Sequence, residues 1–166
     1  PTDAGLSAPR PALVSEGGRV HLYYALPDGN IYHRQSSDGG ATWGSASGVY
    51  SGGDVEGDIC ACHFTADDVH FVHFSTRTDM LRLRGASRKG SGGWNVWPVH
   101  GAATGWVAAG IMATGARTAM LLAWARTPNP YEHYLGALAC SVTAAGAPEA
   151  RDSTVEVVWL VSGDTA

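Results

Sequence analysis

Ser36-Ser37-Asp38-Gly39-Gly40-Ala41-Thr42-Trp43 reads S-x-D-x-G-x-T-W and follows directly on the alternating run Ile31-Tyr32-His33-Arg34-Gln35. A strand that runs into Asp-Gly-Gly predicts a tight turn, because these residues tolerate the positive φ that such turns require. The Asp38 carboxylate is placed to accept hydrogen bonds from turn amides. Trp43 is expected to fold back as an apolar plate against the sheet. On that expectation Trp43→Ala costs about 3–5 kcal/mol.

The same arrangement recurs outward from this hairpin. Before it stand Ala12-Leu13-Val14, a turn at Glu16-Gly17-Gly18, the strand Val20-His21-Leu22-Tyr23-Tyr24-Ala25 and the turn Pro27-Asp28-Gly29-Asn30; a short edge strand near 47–50 follows it. About 50 residues on, Ile59-Cys60-Ala61-Cys62-His63-Phe64, Val69-His70-Phe71-Val72-His73-Phe74 and Leu81-Arg82-Leu83-Arg84 repeat the first, second and third strands. Ser87 and Trp94 each stand 51 positions after Ser36 and Trp43, while Lys89 replaces the aspartate and Ser91 the middle glycine. A looser third unit holds strands at 108–113, 119–124, 134–142 and 155–161. Four strands per 50-residue unit read as a propeller blade, and the apolar second strand of each unit reads as one packed on both faces.

The full motif resembles the Asp-box (BNR) repeat of sialidase-like β-propellers, with Ser36, Asp38, Gly40, Thr42 and Trp43 filling its positions and a degenerate copy at Ser87 and Trp94. The resemblance implies that the box is structural, on an outer turn away from any central site. The expected fold is all-β: one domain, 1–166, of propeller-type four-stranded antiparallel blades at about 10–53, 58–101 and 106–162. Three blades do not close a ring. The chain is then a portion of a longer propeller, or copies of it assemble, or the units form a β-trefoil, the alternative fold.

With 22 glycines and 16% charged residues, the composition suits a turn-rich all-β chain. A net charge of −4 weighs against nucleic-acid binding. No apolar run is long enough for a membrane span, and no signal peptide is visible. Cys60 and Cys62 fall on one face of a strand and read as small buried residues; with Cys140 the count is odd, so pairing within the chain is incomplete. No metal centre and no cofactor is expected.

A sialidase-type enzyme, which the resemblance would also allow, uses an arginine triad and a Tyr–Glu pair. Arg10-Pro11-Ala12-Leu13 is similar to that family's R-I-P segment with one residue missing, which makes Arg10 a candidate ligand-binding residue. Tyr131-Glu132 and Glu156 could form a Tyr–Glu pair, although in the family that pair comes from later blades, and no two-carboxylate arrangement suited to glycoside hydrolysis stands out. His21 and His70 hold equivalent places on successive second strands and are expected to line one surface, as core or channel histidines or as ligand contacts. Tyr23 and Tyr131 are candidates for stacking on a sugar. The segment His21 to Ile31 is also similar to blades of fungal-type fucose-binding propeller lectins. The reading is therefore a non-catalytic binding or structural module that recognises glycan or protein and self-associates, with an extracellular, virion or cell-surface setting. The alternative is a sialidase-type glycoside hydrolase or a portion of one.

Overall fold

A computed structural model describes residues 11–64, 67–77, 82–98, 106–113, 118–126, 132–148 and 156–161. Their strands are β1 (Ala12–Glu16), β2 (Arg19–Ala25), β3 (Ile31–Ser36), β4 (Ser47–Tyr50), β5 (Val55–Phe64), β6 (Val69–Thr76), β7 (Arg82–Lys89), β8 (Asn95–Pro98), β9 (Trp106–Ala113), β10 (Thr118–Arg126), β11 (Glu132–Ser141) and β12 (Glu156–Val161). The described residues contain no helix, so no helix there is long and apolar enough to cross a membrane.

The strands form three four-stranded sheets, β1-β2-β3-β4, β5-β6-β7-β8 and β9-β10-β11-β12, each antiparallel and each made from consecutive strands. These are propeller-type blades, and the chain is all-β. In all three sheets every strand pairs within its own unit, which sets the arrangement apart from a trefoil barrel. The first strands lie side by side, β1 against β5 and β5 against β9.

Register places the turns. The β1–β2 turn and the β3–β4 loop leave the first sheet at one end, since Glu16 pairs with Arg19 and Val20 with Ser36; the 27–30 turn leaves at the other. Glycine serves these turns where φ is positive, as at Gly39 (71°) and Gly40 (98°). Between the first two sheets lies a core of Tyr23, Ile31, Val49, Ile59, Val72, Phe74 and Ala86, with Trp94 packed against it.

Two features differ from the sequence reading, the first of them in the second unit. The strand expected to end near Arg84 runs on to Lys89. Val20 pairs with Ser36 in the first unit, but Val69 pairs with Lys89 in the second, so the second hairpin is two residues longer on each side of its turn. Lys89 has no carboxylate to gather the loop, and pairing continues until Gly90 (φ 52°) turns the chain. Ser87 is a strand residue, as Ser36 is at the end of β3; Arg88 and Lys89 join the strand where the first unit already has its loop.

The second difference concerns coverage of the second strands. All eight residues of β6 are buried, as expected for a strand packed on both faces. In β2 only His21 and Tyr23 are buried, and burial alternates along the strand. The first sheet is covered on one face, toward the second.

Candidate functional site

The loop at 36–43 organises itself around two side chains. Ser36 Oγ donates to Asp38 Oδ1 (2.7 Å) and accepts from the Gly40 amide (2.8 Å). The Thr42 amide donates to Asp38 Oδ1 (2.9 Å) and the Thr42 hydroxyl to Oδ2 (2.6 Å). These donors hold the Asp38 carboxyl well below the usual carboxylate range, the Thr42 hydroxyl contributing most. A carboxylate engaged in this way closes a loop and is not free for proton transfer. Trp43 is half-buried over its own loop, its Cζ2 3.8 Å from where a Cβ on Gly40 would stand. Its counterpart Trp94 instead packs across the interface between sheets. The Trp94 ring lies edge-on to Tyr23 at 6.2 Å, and the Arg88 guanidinium sits 4.8 Å over it.

The chemistry-bearing residues that gather are histidines, at the end of the sheets where β1 turns into β2 and β5 into β6. His21 comes from β2, His33 from β3, and His63 and His70 from paired positions on β5 and β6. Ring centroids are 4.4 Å apart for His63 and His70, 4.7 Å for His21 and His70, and 5.2 Å for His21 and His63. Two carboxylates border the group. Glu16 pairs with His63 Nδ1, and Asp68 Oδ1 stands 2.9 Å from His63 Nε2 and 3.8 Å from His70 Nε2. Asp68 sits at φ 52°, a left-handed conformation that is rare for a residue with a Cβ. The Tyr23 hydroxyl meets His70 Nδ1 at 2.7 Å.

Arginine only donates, so its contact fixes a tautomer. Arg88 Nη2 lies 3.1 Å from His33 Nδ1, which must accept. His33 Nε2 then carries the proton and donates to His21 Nδ1 at 3.1 Å. His21 Nε2 is left as a buried donor with no hydrogen-bond partner. Burial pushes His70 down to about 2, with His63 adding to it, and pushes His33 down to about 3, with Arg88 adding to it. Burial also lowers His21, and His63 lowers it further. These rings are neutral at pH 7, with lone pairs available for coordination. Three sets of ligand atoms lie within 4.8 Å of one another: His21, His33 and His70; Glu16, His21 and His63; and His63, Asp68 and His70.

Of the residues singled out from sequence, His21 and His70 are brought together as expected. Tyr23 is brought to the same place but is fully buried, so it offers no face to a sugar. Ser87, like Ser36, is a buried strand residue, and it bridges units: its hydroxyl donates to the Gly146 carbonyl of the third unit. Arg10 and Tyr131 lie outside the described residues. Cys60 and Cys62 are buried, as expected. Sequence reasoning missed Glu16 and His33, which come from other strands, and also His63 and Asp68, although these flank His70 on one hairpin, whose pairing was the signal that could have found them. No family model matches the chain, and no curated protein matches it.

Proposed function

We propose that this chain is a non-catalytic binding and assembly module of the sialidase-like propeller type, which recognises a glycan or protein and closes its ring by pairing with a second copy. One observation carries the reading: β6 is buried along its whole length, whereas β2 is buried on one face only. Units pack in one direction. Trp94 of the second unit leans on Tyr23 of the first, and the third unit's turn at Gly146 accepts hydrogen bonds from Ser87 and Asn95 of the second. The first unit supplies the face that would take the next such contact. That face carries Leu13, 64% exposed, with Tyr24 and Tyr32 ring to ring at 5.9 Å and Arg34 donating to the Tyr24 hydroxyl at 3.3 Å.

Two copies joined head to tail would bring six units into one ring, a blade number ordinary for propellers. The internal bonding of the 36–43 loop supports the Asp-box reading. Three of the described carboxylates away from the histidines are taken up by side-chain donors, which favours a module without hydrolytic chemistry: Asp28 accepts from Tyr32, Asp54 from Tyr50 and Glu56 from Arg77. Sedimentation velocity across a hundredfold concentration range is the test, together with a glycan array and a fluorogenic sialoside. The expected results are a dimer that Leu13→Glu dissociates, and no turnover of the sialoside. A strict monomer overturns the assembly reading, and turnover overturns the non-catalytic one.

A further inference from the structure

We infer that the β5–β6 hairpin is a binding site for a divalent first-row transition metal, zinc above all, with His63, Asp68 and His70 as ligands. The inference rests on the hairpin alone and does not depend on the function proposed above. His63 and His70 are register partners, so both rings rise from the same face of the hairpin. Asp68, in the turn that joins the strands, reaches back between them. Its Oδ1 is 2.9 Å from His63 Nε2 and 3.8 Å from His70 Nε2. Ligands on a tetrahedral ion at about 2.0–2.2 Å lie roughly 3.3–3.5 Å from one another; the two Asp68 distances bracket that spacing, and the three residues' ligand atoms all lie within 4.8 Å of one another.

The outer partners also fit. A histidine that ligates through Nε2 must present Nδ1–H to an acceptor, and a carboxylate is the common one. Glu16 stands against His63 Nδ1, and the Tyr23 hydroxyl oxygen is 2.7 Å from His70 Nδ1. Two anionic carboxylates balance the charge of a divalent ion beside neutral imidazoles. The histidines are closely buried, while the Asp68 side chain is 53% exposed, so the site opens to solvent through the turn. Three protein ligands leave a position for water or an anionic group. His21 Nε2, the buried donor without a partner, belongs to the ring beside both ligand histidines.

The test uses the tag-free chain, stripped with chelator, titrated with Zn²⁺ by calorimetry and with Co²⁺ by visible absorption. One ion per chain is expected, with micromolar or tighter affinity, visible bands typical of low-coordinate cobalt and a melting temperature that rises with Zn²⁺ concentration. Asp68→Asn keeps the shape and tolerates the left-handed backbone, and should weaken binding at least tenfold. Asp68→Gly should melt no lower than the parent without metal, yet lose the metal-dependent rise. Glu16→Gln should weaken binding about tenfold through His63. Absence of binding at millimolar Zn²⁺ overturns the inference. Binding that both Asp68 variants leave unchanged overturns it equally, since the ion would then sit elsewhere.

Discussion

Trp43 and Trp94 occupy equivalent places in the repeat, yet their surroundings make opposite demands on stability. Trp94 contacts Tyr23 edge-on at 6.2 Å, His33 at 6.4 Å and His70 at 6.2 Å, under the Arg88 guanidinium at 4.8 Å. Truncating a core aromatic costs about 3–5 kcal/mol. Trp94 is half-buried, which lowers the area part of that cost, while its edge contacts and the cation–π contact each add about 0.5–1.5 kcal/mol. Trp94→Ala is therefore expected to lose about 3 kcal/mol. At this chain length each kcal/mol moves the midpoint by roughly 2–4 °C, so the melting temperature falls by about 6–12 °C. Trp43 leans on its own loop, and Trp43→Ala is expected to lose about 1 kcal/mol or less, not the larger value its motif suggests. Thermal and urea unfolding by circular dichroism would measure both, in chelator and at concentrations below self-association. Equal losses in the two variants, or a larger loss for Trp43→Ala, would refute the claim that the second tryptophan alone bridges sheets.

Two further outcomes follow from single positions. Gly85 pairs with Trp97, and a Cβ there would stand 2.7 Å from the indole Cε2, in a ring already held edge-on by Phe71 at 5.5 Å; Gly85→Ala is expected to cost about 1–3 kcal/mol in urea unfolding. Burial pushes His73 down to about 3, and neither ring nitrogen has a hydrogen-bond partner. Because the folded value lies below the unfolded one, the unfolded chain binds the extra proton. This contribution to stability is complete above about pH 6.5 and falls by about 1.4 kcal/mol per pH unit as pH drops toward 3. His73→Phe should flatten that part of the stability–pH curve without lowering stability at pH 7, and an unchanged slope would count against it.

Local chemistry made much of the fold legible. Period-2 alternation marked the strands, and Gly, Asp and Pro marked the turns, because those preferences act within a few residues. The loop at 36–43 was legible for the same reason: Ser36, Asp38 and Thr42 hydrogen-bond to one another. Its worn copy differs because pairing with β6, a contact between strands, draws Arg88 and Lys89 into β7. The equivalence of His21 and His70 was visible as a repeat spacing. What that spacing could not supply was His33 and Glu16, which stacking of the first sheet on the second brings to the group, or the register that sets His63 and Asp68 beside His70 on one hairpin. The sequence by itself determined the units and their turns, through interactions between near neighbours in the chain. Only the tertiary structure decided which faces met, which tryptophan was covered and which histidines shared a site, since burial depends on what the next sheet places there.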